Sequence, residues 1–547
     1  MSDQLNAGAA AVDLAAEIVD SATEVLARRA TVDGRISVAK LDEHQVLAYD
    51  LAHAASAVEG CTVMVAYGGQ GEQESLLARA YIADAIHDLG AKLLGREATW
   101  GVDPSLLAPA LPFVETHRSP EFLEALGDTL PAAGTGPNHL PDDFELAADT
   151  FHKFAEEKIR PHAEHVHRSN GDVPEEVIQG LAELGGFGLS VPVEYDGMAG
   201  GGEADYLGMV VATEELSWGS LGIGGSLITR PEILTRALVT GGTDEQKRRW
   251  LPRIASGELI VGVMATEPDF GSDVAGVSTM ATPTEGGYLI NGVKTWATFA
   301  GRADLVMLLV RTDPDKSKAH RGLSLFVVEK EPTPGHSFSL EQEAVDGRGV
   351  GKMEGRAIDT LGYRGMHSFE VSFSDWFVPA ANLVGEESGL GRGFYLQMEG
   401  FENGRLQTAA RAVGLMQAAF DAGLTYAQDR KVFGQSVFDY QLSKVKLARM
   451  AALIQGGRQF SYDVARQMGR GEGTLAASMV KAYVCRAAEW VTREAMQLHG
   501  GMGYAEEFPV SRYFADARVL SIFEGADETL CLRVIARRLT EDKLATL

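Results

Sequence analysis

The chain has 547 residues, of which 45% are hydrophobic, and a formal net charge of −27. That length exceeds one ordinary domain several-fold and that apolar content fills sizeable cores, so roughly three or four domains are expected. The charge excludes nonspecific attachment to nucleic acid or to an anionic membrane, whose phosphates it would repel, and any anionic ligand therefore needs a local basic pocket. Cys61, Cys485 and Cys531 are too few and too scattered for a disulfide framework or a zinc site, and they read as core packing in a reducing compartment. The first residues lack the basic and apolar blocks of a signal peptide, and no apolar stretch approaches the roughly 20 residues that cross a bilayer, so cytoplasmic residence is expected.

In chain order, residues 11–125 are rich in Ala, Leu and Glu with apolar positions at helical spacing, as in Leu76, Leu77, Ala80, Tyr81, Ala83 and Ile86. Pro131, Gly134, Gly136, Pro137 and Pro141 interrupt that pattern and predict an extended linker. This gives a helical N-terminal extension over 1–126 and a linker over 127–143. Helical periodicity returns over 144–258, with Asp172 ahead of Pro174-Glu175-Glu176 and Asp244 ahead of Glu245-Gln246-Lys247 as acidic caps. Between 259 and 390, β-branched runs punctuated by glycine, such as Leu259-Ile260-Val261-Gly262-Val263 and Leu305-Val306-Met307-Leu308-Leu309-Val310, predict a β-domain. Helix signals resume over 391–547. The expected class is α+β: helices, strands, helices, behind an additional all-α segment. The series Gly34, Ser37-Val38, Gln45, Leu51-Ala52, Gly71-Glu72 and Ala80-Tyr81 recurs in order as Gly434, Ser436-Val437, Gln441, Leu447-Ala448, Gly471-Glu472 and Ala482-Tyr483. On that basis the extension reads as a degenerate copy of the C-terminal helical domain that packs against the core.

Five segments carry chemistry. In Ser521-Ile522-Phe523-Glu524-Gly525 a lone carboxylate sits in an apolar run beside a glycine, where burial would raise its pKa toward working pH and suit it as a base. The stretch 264–273, with Thr266, Gly271 and Ser272, has the composition of a cofactor-lining loop, although Thr266 alone would be an ordinary strand residue. Trp296 and Thr298 are two apart, so on a regular strand both side chains leave the same face, to stack on and bond a flat ring or to fill a β-core. In Gln497-Leu498-His499-Gly500-Gly501-Met502-Gly503-Tyr504 adjacent glycines permit close backbone approach and Gln497 supplies an amide; a glycine helix cap is the plainer alternative. The guanidinium of Arg430, in Arg430-Lys431-Val432-Phe433-Gly434, can pair with a pyrophosphate or make an exposed salt bridge.

Together these segments resemble the acyl-CoA dehydrogenase family from about residue 144 to the end. The resemblance implies an FAD cofactor, an acyl-CoA substrate, electron-transferring flavoprotein as electron acceptor, and a homodimer or homotetramer. It implies that Glu524 is the catalytic base with Phe523 and Gly525 beside the substrate, and that Thr266 meets the flavin pyrimidine edge. Ser272 would lie near FAD phosphate and acyl-CoA, Trp296 would stack on the isoalloxazine, and Thr298 would bond its edge. Arg430 would pair with the FAD pyrophosphate, Phe433 would cover the adenosine, and Gln497 and Gly501 would meet the FAD of a neighbouring subunit. Glu402 and Arg405 fall where CoA or its channel is contacted. Ala265 and Phe270 depart from the usual pattern, which puts the binding geometry there in doubt, and Glu528 stands where relatives often have Gln. One branch of the family carries its base immediately before the position of Arg405; Gly404 is there, which leaves the role with Glu524 and space near the acyl chain.

The implied reaction needs these parts, because the α-hydrogen of a thioester is weakly acidic and must meet a positioned base while the β-hydrogen leaves as hydride. The N-terminal extension and a short insertion around 345–355 are most similar to the branch acting on methylsuccinyl-CoA. This implies oxidation of (2S)-methylsuccinyl-CoA to mesaconyl-CoA in the ethylmalonyl-CoA pathway. The free carboxylate of such a substrate needs a cation, and Arg230, in Leu227-Ile228-Thr229-Arg230-Pro231, is the candidate. The alternatives are dehydrogenation of an aliphatic short or branched acyl-CoA, an acyl-CoA oxidase, and, more remotely, a noncatalytic acyl-CoA-binding protein.

Overall fold

The alanine- and leucine-rich N-terminal windows fold into the helices Asp3–Ala30, Gln45–Gly68, Glu72–Leu93 and Pro120–Ala133 of a computed structural model that describes residues 3–343 and 350–547. The first five residues of the expected insertion around 345–355, 345–349, lie outside the described residues, and 351–357 form a strand. The chain divides into two compact units. One comprises the residues up to Leu146 together with Thr408–Leu547, and the other Ala147–Gln407.

In the first unit the extension is not purely helical. Strands Thr31–Val32 and Arg35–Ile36 pair antiparallel around Asp33 and Gly34, both at positive φ (49° and 74°). Such a two-residue turn requires this backbone, and Asp-Gly is its usual sequence. The expected linker is also shorter at its start. Helix Pro120–Ala133 runs through Pro131, which sits in the last turn and so forfeits one ladder bond rather than breaking the helix, and Gly134 at φ 55° ends it. The following residues are tied down: Thr135 Oγ1 donates to Gln417 Oε1 at 2.9 Å, and the Pro137 carbonyl accepts from Gln455 Nε2 at 2.8 Å and Tyr67 Oη at 3.0 Å.

The C-terminal half of this unit repeats the succession. From Thr408, the remainder of the long helix Gly393–Asp429, whose first residues belong to the other unit, leads into a hairpin (Lys431–Val432 and Gln435–Ser436), then helices Gln441–Gly469 and Thr474–Leu498. The extension and the C-terminal helices share one core. Tyr81, 1% exposed, lies between Gly60 and Gly456, where an added Cβ would come within 2.4 Å and 2.2 Å of its side chain. Arg449 pairs with Asp84 at 2.7 Å, and Lys444 with Asp128 at 2.7 Å.

The second unit carries helices from Arg160–Ser169 to Asp244–Ala255 and, among the described residues, an eight-stranded sheet. Its strand order is Val261–Met264, Leu305–Arg311, Met280–Thr284, Gly287–Thr298, Ser368–Pro379, Gly351–Ala357 and Ser337–Gln342, with Leu323–Glu329 paired to Leu305–Arg311. The two expected acidic caps are corrected here. Helix Asp244–Ala255 is capped by Thr243, whose hydroxyl accepts from Gln246 N while the Gln246 side chain accepts from Thr243 N, a reciprocal box that leaves Asp244 merely in the first turn. Helix Glu175–Glu183 follows Pro174, and Asp172 instead accepts from His367 Nε2 at 2.9 Å and Gly335 N at 2.9 Å.

Candidate active site

Thr266, Ser272, Trp296, Thr298, Arg230, Glu402 and Arg405 belong to the second unit, whereas Phe523, Glu524, Gly525, Arg430, Phe433, Gln497 and Gly501 belong to the first.

In the second unit, strand pairing gathers three of the expected residues. Thr295 N donates to Thr266 O at 2.9 Å, and Thr298 pairs with Val263 on one side and Ser368 on the other. The same-face expectation for Trp296 and Thr298 is not met. Register slips between Phe369 and Val371, Trp296 takes φ 55°, and the indole is 56% exposed whereas Thr298 is 7% exposed. A bulge of this kind re-aims a side chain, and it turns a large apolar ring out of a sheet whose neighbouring residues are buried.

Ser272 is exposed on a loop held by a buried ion pair that the sequence did not reveal. Lys294 and Glu267, 0% and 4% exposed, meet at 2.8 Å. The Glu267 carboxylate also accepts from Ser278 N, Ser278 Oγ and Thr279 N at 2.7–2.9 Å, and Lys294 Nζ donates to Ala265 O at 3.0 Å. Burial pushes the Glu267 carboxyl up, but the Lys294 charge and these donors outweigh it and hold it at about 2. Burial pulls the Lys294 ammonium down to about 8 against the attraction of Glu267. Phe270, out of pattern for the family, packs its ring over Gly276 at the far side of the same loop.

Arg230 opens helix Thr229–Gly241 and is 6% exposed, so it is not a surface arginine. That helix packs on Gly393–Asp429, the helix of Glu402 and Arg405: an added Cβ at Gly400 would lie 2.9 Å from Ile233, and Thr240 Oγ1 donates to Glu399 at 2.8 Å.

In the first unit, Glu524 is half-buried on the loop between helices Pro509–Leu520 and Asp527–Thr529. It holds φ 55°, uncommon for a residue with a Cβ, and Gly525 follows at φ 97°. Contacts on this loop explain how that conformation persists. Ser521 Oγ donates to Glu489 Oε1 at 2.5 Å, Asp527 N closes back on Ser521 O at 3.1 Å, and Lys481, itself 0% exposed, donates from Nζ to Gly525 O at 2.6 Å. The Arg411 guanidinium lies 5.1 Å from the Phe523 ring centroid.

Arg430 is exposed beside the second hairpin, whose tip residue Phe433 is 99% exposed at φ 50°. Gln497 is exposed at the end of its helix, and an added Cβ at Gly501 would meet nothing within 4 Å. Gly501 has no positive φ, so nothing in the described chain itself calls for glycine there.

The acyl-CoA dehydrogenase N-terminal, middle and C-terminal domain models match residues 141–258, 262–376 and 391–540. A (2S)-methylsuccinyl-CoA dehydrogenase of Cereibacter sphaeroides is 35% identical over 99% of this chain and 99% of its own length. A mitochondrial isovaleryl-CoA dehydrogenase of Solanum tuberosum is 33% identical over 79% of this chain and 96% of its own. The crystal structure of an acyl-CoA dehydrogenase from Geobacillus kaustophilus is 34% identical with a TM-score of 0.64, and covers 73% of this chain and 99% of that one. Among the described residues, no helix is long and apolar enough to cross a membrane.

Proposed function

Because the chain belongs to the acyl-CoA dehydrogenase family of FAD-dependent oxidoreductases, acting on short or branched acyl-CoA, we propose that it converts (2S)-methylsuccinyl-CoA to mesaconyl-CoA. The observation that carries the choice of substrate is the end-to-end likeness to a methylsuccinyl-CoA dehydrogenase, extension included. Arg230 adds to it, since a buried guanidinium is the group a distal carboxylate needs on leaving water.

FAD fits the residues present. An exposed indole at 296, a fully exposed phenyl at 433 and a glycine at 501 facing open space are three features left uncovered at positions where relatives meet the cofactor. Trp296, Thr266, Thr298 and Ser272 would hold the flavin and its phosphate, Arg430 and Phe433 the pyrophosphate and adenosine, and Gln497 and Gly501 the cofactor of a second copy. Bound FAD supplies the acceptor for the β-hydride and the electron pair that leaves with it. The Glu524 carboxylate takes the α-proton, so that the Cα–Cβ double bond forms as the β-hydride departs. Glu402 and Arg405 line the CoA side, and Phe523 and Gly525 the acyl side. The left-handed backbone at Glu524, held by the contacts of its loop, sets where its side chain leaves the chain before substrate arrives, which lowers the ordering cost of the proton-transfer step. Electrons then pass to an electron-transferring flavoprotein, in a cytoplasmic homo-oligomer. The extension is a degenerate copy of the C-terminal helices.

The test is an anaerobic panel in which flavin bleaching is followed with methylsuccinyl-, isovaleryl-, isobutyryl-, butyryl- and glutaryl-CoA. Methylsuccinyl-CoA is expected to bleach fastest. A faster aliphatic substrate overturns the dicarboxylic reading, and rapid oxygen consumption without another acceptor assigns the chain to the oxidases.

A further inference from the structure

We infer that the N-terminal extension holds the catalytic loop in place through Tyr49 and His53, which together grip the carboxylate of Asp527. The inference rests on Glu524 being the base. Tyr49 and His53 stand four apart on helix Gln45–Gly68, one turn from each other and so on one face. Tyr49 Oη donates to Asp527 Oδ2 at 2.5 Å, and His53 Nε2 lies 3.1 Å from the same oxygen. A carboxylate oxygen only accepts, so the His53 proton on Nε2 points at it. His53 and Asp527 are 4% and 7% exposed, and the two rings meet edge-on at 4.8 Å, which fixes the pair. Cys531, one turn beyond Asp527, lies 3.4 Å from His53 Nε2, so this thiol belongs to a polar cluster rather than to plain core packing. Burial pushes the Asp527 carboxyl up, but the bonds from His53 and Tyr49 outweigh it and keep the group below its ordinary value, and hence ionised to accept both bonds.

Asp527 is three residues after Glu524, and its backbone N–H closes the loop on Ser521 O. The loop is therefore pinned at three points: Ser521 by Glu489, Gly525 by Lys481, and Asp527 by the extension. The first two pins come from helix Thr474–Leu498, inside the span matched by the C-terminal domain model, whereas Tyr49 and His53 precede every matched segment. Glu524 sits at a backbone angle that its own residue type disfavours, so the placement of its backbone, and with it the base, depends on these anchors. Tyr49 and His53 are thus positioning residues for the base.

The experiment compares native protein with Tyr49→Phe, His53→Leu, the double variant and His53→Gln. For each, FAD content, KM and the rate of anaerobic flavin bleaching are measured, using whichever of (2S)-methylsuccinyl-CoA and isovaleryl-CoA bleaches the native flavin faster. A base displaced by an ångström costs on the order of 100-fold in rate, so the double variant is expected to bleach about 10- to 100-fold more slowly, with FAD content and KM near native. His53→Gln, whose amide can still donate to Asp527, is expected to recover most of the rate lost in His53→Leu. A double variant that bleaches within twofold of native overturns the inference, and so does a fall in FAD content and KM with no fall in the bleaching rate. Should the double variant fail to fold, Tyr49→Phe, which removes a single oxygen, decides by the same criteria. Glu524→Gln separates the two readings. Bleaching that persists there overturns the base assignment itself, whereas its loss beside native rates in the Tyr49 and His53 variants overturns only the role of the extension.

Discussion

Glu267→Gln removes the charge from one half of a buried pair and leaves the other in place. Lys294 is 0% exposed and Glu267 is its partner at 2.8 Å, so the variant strands an ammonium in the protein interior. Breaking a buried pair on one side costs about 3–5 kcal/mol. Spread over the unit 147–407, at about 2–4 °C per kcal/mol, this lowers the melting temperature by about 6–20 °C. The amide also has one acceptor oxygen where the carboxylate had two, so the N–H groups of Ser278 and Thr279 can no longer both be met, and the loop bearing Thr266 and Ser272 loosens with them. FAD retention should fall together with stability. The assay is a melt monitored by flavin fluorescence and by circular dichroism, run beside Glu267→Gln/Lys294→Met, which removes both charges. The double variant should regain much of the loss, because the penalty comes from the uncompensated charge rather than from the missing pair. The pH dependence has a defined sign. The folded carboxyl, at about 2, lies below its ordinary value of 4.5, so its contribution is complete above pH 4.5 and vanishes as pH falls toward 2. Lys294, held at about 8 against 10.5, binds fewer protons in the folded chain, so native stability gains from this group as pH rises through that interval. A melt for Glu267→Gln within about 2 °C of native, or a double variant no better than the single, would refute the reasoning.

Glu524→Gln keeps shape but cannot accept a proton, so anaerobic bleaching should slow by about 10²-fold or more while bound FAD, read from the visible spectrum, stays at the native level. Arg230→Met should weaken methylsuccinyl-CoA by about 2 kcal/mol, close to 30-fold in KM, and leave isovaleryl-CoA nearly unchanged; equal losses on both substrates would remove Arg230 from the carboxylate role. Gly456→Ala adds a Cβ 2.2 Å from Tyr81, a ring already confined by Gly60. Helix propensity favours alanine by about 1 kcal/mol, but overpacking costs about 1–3, so a lower melting temperature is expected by calorimetry.

What the sequence made legible and what it hid divide along the distance between partners. The Ser521–Gly525 run, the glycine segment near Gly501 and the hydrophobic runs of the β-domain are local signals: the last forms the sheet, and the first two mark Glu524 and Gly501 as candidates. The hairpin at Asp33-Gly34 leaves no strand signal because two-residue strands are too short to show alternation, although its turn pair stands in plain view. Asp244 draws the cap expectation away from Thr243, although Thr243-x-x-Gln246 is itself a capping pattern. Regular alternation puts Trp296 on the face of Thr298, whereas its bulge is set by the register of a strand about seventy residues away, at Phe369 and Val371. Asp172 looks like a cap until His367 is folded next to it. Lys294, Lys481 and Tyr49 carry no local mark of their roles. Each is defined by a partner that only the fold brings near.

The two hairpins bring the extension and the C-terminal helices into direct comparison. Thr31–Gly34 aligns without gaps on Lys431–Gly434, ahead of the one-residue offset that sets Ser37 against Ser436, and the turn residues of both take positive φ. Val32 and Gly34 recur as Val432 and Gly434, the residues that a paired strand and a left-handed turn demand. The two positions proposed to touch FAD do not recur: Ala30 stands opposite Arg430, and Asp33 opposite Phe433. Under the proposal that the extension is such a copy, it keeps the backbone requirements of the hairpin and lacks the guanidinium and the aromatic ring proposed to touch FAD. Its helices instead bury Tyr81 against Gly456 and present Tyr49 and His53 to Asp527. On this reading the added length does not build a second site; it stiffens the loop of the one that exists, and that demand falls on Tyr49 and His53 rather than on the hairpin tip.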